Sequence, residues 1–237
     1  MRGTSIQRSN TRIEYLDLAK AIGIILVIAG HVVSSDTAVK KVIYAFHMPL
    51  FFLLSGMLIQ VRTEYNKNTW IQLIIKKAKG LLLPYILWGL IYAAFSFKHT
   101  ALILYGTRET LIAAESLTSL WFLPVMFLAF MICEVVLQIA SRLTKQRLGI
   151  LIGIVVSSII GFICPHHPVY GDPWGFDIAF TAAAFMLAGM LARTGIEKPS
   201  NVRYQIAALI ISAALFVIFV RFSGSSVGYR SEEHTSE

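Results

Sequence analysis

Residues 12–58 read RIEYLDLAKAIGIILVIAGHVVSSDTAVKKVIYAFHMPLFFLLSGML. The stretch holds two apolar segments, each long enough to enter a bilayer, and each carries polar groups that a bilayer disfavours. Asp17 and Lys20 stand at the front of the first segment and His31 near its far end; His47 precedes Met48-Pro49 in the second. An ionisable side chain at membrane depth costs roughly 2.5–3.5 kcal/mol on insertion scales. A plain anchor has no use for such groups, so the reading is a functional site inside a helical bundle.

Composition supports the membrane setting. Of 237 residues, 56% are hydrophobic and 14% charged, and the mean hydropathy is +0.68, whereas soluble domains carry about 25% charged residues. Apolar runs of roughly 16–20 residues recur, which predicts an all-α polytopic transmembrane bundle. The two-residue alternation of barrel strands is missing. A net charge of +8 invites a nucleic-acid reading, but the positive charges flank apolar segments, as membrane topology requires. No nucleic-acid partner is expected; membrane lipids are. Cys133 and Cys164 fall in apolar runs and read as reduced packing residues. The first apolar segment lacks a small-residue cleavage site, so it reads as a retained span. The sequence sets no oligomeric state.

Seven spans are expected: Leu16–Val33, Val42–Ile59, Leu81–Phe97, Leu117–Ile139, Leu148–Cys164, Phe176–Leu191 and Ile206–Val220. Alternate connecting segments carry fourteen Lys and Arg on one side against five on the other. The positive-inside rule therefore puts the N-terminus in the cytoplasm. After the seventh span the chain turns abruptly polar. Residues 230–237, RSEEHTSE, read as the translation of a sequencing-library adapter, the alternative being a natural polar tail. The expected domain is thus residues 1–229, an incomplete transmembrane domain that continues in the natural protein.

Lys20 and His31 are eleven residues apart, an offset of about 20° on a regular helix and about 16 Å along its axis. They share one face across about half of a hydrocarbon core. Asp17, one turn before Lys20, is placed to pair with it. A neutral imidazole at that depth can serve as a general base; equally, His31 can bridge helices and Lys20 can snorkel to the interface. His47 before a proline reads chiefly as structure, and Ser55-Gly56 suits close helix packing. Lys76, Lys77 and Lys79 form either a topology determinant or a cradle for a phosphorylated donor. Trp121 reads as an interface-belt residue. Glu134 is another ionisable group within a span, and Asp177 opens a later one. The paired His166-His167 lack metal-ligand spacing, so no metal is expected.

Taken together, YLDLAKAIGIILVIAGHV, FHMPLFFLLSG, KKAKGLLLPY, SLWFLPVMFL and PWGFDIAFTAAAFMLAG, in that order over residues 15–189, resemble the acyltransferase-3 family of integral membrane O-acyltransferases. Within it the chain is similar to the fucose 4-O-acetylase-like branch. The resemblance implies transfer of an acyl group, usually acetyl from cytoplasmic acetyl-CoA, to a hydroxyl of an extracytoplasmic glycan or lipid-linked sugar, in a bacterial inner membrane. The family's basic-x10-His motif falls on Lys20 and His31, which implies His31 as catalytic base and Lys20 at the donor. Its Arg-x-x-Arg motif falls on Lys76 and Lys79, with lysines that lack the bidentate fork of arginine. A family acidic residue of a later span would lie beyond residue 229, so the resemblance implies an incomplete, inactive site here. The rival readings are a secondary transporter using the intramembrane Asp, Lys, His and Glu and a non-catalytic membrane scaffold.

Overall fold

A computed structural model describes residues 14–32, 38–62, 64–92, 103–107, 111, 115–164 and 172–196. The described residues form helices and no strand; an isolated bridge pairs Thr107 with Pro173. The helices are α1 (Glu14–Val32), α2 (Ala38–Met57), α3 (Lys67–Lys77), α4 (Leu83–Tyr92), α5 (Phe122–Ser141), α6 (Gln146–Ile163) and α7 (Phe176–Ile196). A π turn, Ala78–Leu82, joins α3 to α4, and a 3-10 turn, Glu115–Trp121, leads into α5. Among the described residues, Ser119–Ser141, Gln146–Ile163 and Phe176–Arg193 are long and apolar enough to cross a membrane, and Phe46–Met57 is a shorter apolar stretch. The expected seventh span and the 230–237 tail lie outside the described residues.

Helix α7 is the centre of the bundle and packs on α2, α5 and α6. Its sequence explains why. Ala179, Ala182, Ala183 and Ala184 are buried, and small side chains let several backbones approach one helix. Met186, Leu187 and Met190 fill the remaining space. At the α2–α7 crossing the contact is reciprocal. A methyl at Gly56 would overlap the Met186 carbonyl, and one at Gly189 would overlap the Leu53 carbonyl. The packing role expected for Ser55-Gly56 is therefore met. On α6, Gly149, Gly153, Ser157 and Gly161 form a four-residue stripe, with Gly153 against Val136 and Gly161 against Thr181.

Because backbone rather than a flexible side chain would be struck, Gly189→Leu should force α2 off α7. An overpacked core loses about 1–3 kcal/mol, so the variant should show a lower thermal midpoint in detergent than Ala184→Gly, a change that opens space instead. Equal midpoints would contradict the crossing.

The lysine run departs from expectation. A span opening at Leu81 would leave it in the connecting segment, but helix begins at Lys67. Asn66 caps it, its Oδ1 accepting from the Thr69 amide at 2.9 Å and from the Thr69 hydroxyl at 3.0 Å. From there the inward residues recur every four positions: Leu73, Lys77, Leu81, Tyr85 and Gly89. On a regular helix a strict four-residue stripe drifts about 40° per step. The wider π turn absorbs part of that drift. Lys77 and Tyr85 thereby face the bundle together, while Lys76 and Lys79 are exposed.

Candidate functional site

Glu134 anchors the most highly charged buried cluster among the described residues. It lies on the inner face of α5 and is 3% exposed. A buried carboxylate survives only with donors and counter-charge. The segment from α2 to α3 supplies both. Tyr65 donates its hydroxyl to Glu134 Oε2 at 3.1 Å, and Arg62 Nε lies 3.5 Å from the same oxygen, an ion-pair separation. Tyr65 is braced by Trp70, with ring centroids 6.2 Å apart. One turn before Glu134, Phe130 presents its ring to Lys77, whose Nζ sits 3.1 Å from the centroid.

The electrostatics follow from this crowding. Burial, then the Glu134 charge and hydrogen bond, hold the Tyr65 hydroxyl protonated well above the usual phenol range. Burial pushes the Lys77 ammonium down to about 8, against the pull of Glu134 and with help from the positive charges of Lys76 and Arg62. Two cations thus surround one carboxylate, leaving surplus positive charge. The Arg62 Nε is buried and has no hydrogen-bond partner among the described residues. The anion that this Nε faces is Glu134, so a phosphate would meet Arg62 through the more exposed part of its side chain. The cluster lies at the end of the bundle where Arg193, at the close of α7, donates Nη1 to the Met57 carbonyl at 3.0 Å.

The residues singled out from sequence fall in several places. Asp17 and Lys20 pair as expected, with Lys20 Nζ 3.7 Å from Asp17 Oδ1. α1 is unbroken from Glu14 to Val32, so Lys20 and His31 share one helix; the His31 side chain lies outside the described residues. His47 is buried, and its Nδ1 donates to the Ile43 carbonyl at 2.6 Å, a local bond inside a helix that runs on through Pro49. Trp121 is half-buried between two apolar clusters, edge-on to Phe122 at 6.3 Å. Asp177 is buried in the first turn of α7. Lys76 and Lys79 are exposed, whereas their neighbour Lys77 turns inward over the Phe130 ring, where its charge is felt by Glu134. Arg62, Tyr65 and Lys77 are the residues that sequence reasoning did not assign to the Glu134 site. Lys77 has one local sign, the four-residue spacing from Leu73 through Lys77 to Tyr85; Arg62 and Tyr65 have none. No group of three His, Cys, Asp or Glu placed to hold a metal occurs among the described residues.

Comparison with known proteins identifies the family. The acyltransferase-3 family, described as an acyltransferase domain, matches residues 13–236. The chain belongs to the acyltransferase-3 family. Among similar proteins, the nodulation protein NolL of Mesorhizobium japonicum is 26% identical over 244 aligned positions, covering 97% of this chain and 62% of the relative. The NolL of Sinorhizobium fredii is 29% identical over 146 positions, 56% of this chain and 39% of the relative. The acyltransferase-3 chain described here thus spans about three-fifths of the length of the first of these relatives. No solved structure matches it.

Proposed function

We propose that this acyltransferase-3 member moves an acyl group, acetyl foremost, from cytoplasmic acyl-CoA to a hydroxyl of an extracytoplasmic glycan or lipid-linked sugar. In this reading it is a multi-pass protein of the bacterial inner membrane with its N-terminus in the cytoplasm, which the distribution of Lys and Arg supports. The resemblance of residues 15–189 to the fucose 4-O-acetylase-like branch favours a sugar acceptor.

The observation that carries the donor side is the surplus positive charge around Glu134. Arg62 and Lys77 would meet the phosphates of the donor, with Lys20, Lys76 and Lys79 adding long-range attraction from the same side. Glu134 and Tyr65 hold that pair in place. On the acceptor side, His31 takes the proton of the attacking hydroxyl as its oxygen bonds to the thioester carbonyl carbon. The carbon–sulfur bond then breaks and the proton passes to the departing thiolate. Seating both substrates on one bundle turns their meeting into an oriented, near-unimolecular event.

The direct test gives radiolabelled acetyl-CoA to membranes carrying the protein as encoded at its locus, followed by mass analysis of the glycan fraction. Acetylated sugar is expected; a well-folded protein that yields none would overturn the proposal. The donor side makes its own prediction. Lys77 holds its proton only up to about pH 8, where an ordinary lysine holds it to about 10.4. The KM for acetyl-CoA should therefore rise as pH passes through about 8. A Lys77→Arg enzyme, charged throughout, should show a flat profile. Matching profiles would remove Lys77 from the donor site.

A further inference from the structure

The connection into α7 builds a second site that the donor cluster does not use. Trp174 has a φ of 57°, a left-handed conformation that bulky side chains rarely adopt, followed by Gly175 at 65°. Two bonds hold it there: the Trp174 amide donates to the Gly106 carbonyl at 3.0 Å, and its indole Nε1 donates to the Leu104 carbonyl at 3.1 Å. A backbone kept in so uncommon a state is over-determined by its surroundings, as happens at ligand clamps. The fixed indole borders an open-sided cavity of about 300 Å³, lined by Leu104, Leu128, Asp172, Pro173, Trp174 and Phe176. The Oδ2 of Asp172 is buried in its wall and has no hydrogen-bond donor among the described residues. Such an oxygen is costly unless something supplies a proton to it.

Resting on the sugar-acceptor reading above, we infer that the Asp172–Trp174–Phe176 cavity is a subsite for one neutral sugar ring of the acceptor. The chemistry selects that occupant. The stretch 165–177 contains no Lys or Arg, so a phosphate or carboxylate finds no counter-charge in it. A lipid tail gains nothing from a carboxylate. A sugar offers hydroxyl donors to Asp172 and an apolar C–H face to the aromatic wall, the pairing of few polar groups with aromatic lining found in small-molecule sites. At about 300 Å³ the cavity stands at the small end of such sites.

The test uses the whole protein in nanodiscs of phosphatidylethanolamine and phosphatidylglycerol, free of sugar-based detergent. Saturation-transfer NMR is run with methyl fucoside, methyl glucoside and methyl N-acetylglucosaminide. Wild type is expected to pass saturation to the ring protons of at least one glycoside. Asp172→Asn should weaken that binding about tenfold, as loss of a hydrogen bond to a charged group does, with an unchanged thermal midpoint and unchanged affinity for acetyl-CoA. Trp174→Phe, which keeps a ring but loses the bond to Leu104, should weaken it less. No transfer to any glycoside by wild type, or binding equal in Asp172→Asn, overturns the subsite. Acetyl transfer measured in parallel separates the two levels. Transfer that persists while sugar binding ignores Asp172 leaves the enzyme reading standing. Sugar binding without any acetyl transfer removes that reading and leaves the subsite.

Discussion

His31→Ala should reduce acyl transfer by roughly 10²–10⁴-fold, the usual worth of a positioned general base, while the protein keeps its thermal midpoint. An imidazole within an apolar helix is costly unless it is used, and the register of α1 sets its distance from Lys20. That helix is regular from Glu14 to Val32, so Lys20 and His31 are eleven residues apart on it, about 16 Å in rise. Lys20 is tied to Asp17 at 3.7 Å, which fixes the charged end of the helix. An acyl-CoA held by its phosphates near the cationic end has an extended pantetheine arm with which to bring its thioester toward His31. The initial rate with labelled acetyl-CoA measures the effect. His31→Gln, which keeps a polar side chain but not the basicity, should be as slow as His31→Ala. A Gln variant at wild-type rate would reduce His31 to a helix-bridging residue.

Glu134→Ala should be the most destabilising single change at the charged cluster. Glu134 is 3% exposed, and its Oε2 serves both Tyr65 and Arg62. Removing it leaves Arg62 and Lys77 crowded without counter-charge and the Tyr65 hydroxyl without its acceptor. Breaking a fully buried pair costs about 3–5 kcal/mol; the Arg62 side chain is 38% exposed, so water screens part of its charge and the loss falls below that range. Glu134→Gln keeps an acceptor for Tyr65 and so should lose less. The thermal midpoint should therefore fall in the order wild type, Gln, Ala. Replacing Arg62, Lys77 and Glu134 together by apolar residues should recover part of the loss, because the orphaned charges go as well. A Glu134→Ala protein as stable as wild type would mean that the carboxylate does not organise this end of the bundle.

The sequence carried more of the fold than of the site. Length and apolarity marked the spans on which α1, α2, α5, α6 and α7 lie, since both properties are local. The Asp17–Lys20 pair and the packing role of Gly56 were legible for the same reason: each follows from spacing within one helix. The Glu134 cluster was half-legible. A carboxylate inside a span announces itself, but Tyr65 lies 69 residues before it, and no local pattern reports so distant a contact. The lysine run misled because charge density suggested a loop. The Asn66 cap and the π turn instead placed Lys76, Lys77 and Lys79 on one continuous helical stretch, which aims only Lys77 inward. The left-handed Trp174 was beyond reach, because nothing in Asp-Pro-Trp-Gly requires the tryptophan rather than the glycine alone to take positive φ.

The central claim is that donor and acceptor reach one site from opposite faces of the membrane, with His31 between them. Sealed vesicles of the two orientations, given membrane-impermeant labelled acetyl-CoA in the outer medium, test it most directly. Inside-out vesicles, which in the proposed topology present the Lys- and Arg-rich face to the medium, should label sugar, and right-side-out vesicles should not; His31→Ala should abolish the difference by silencing the inside-out vesicles. Labelling by right-side-out vesicles, or by the His31→Ala protein at the wild-type rate, would contradict the account.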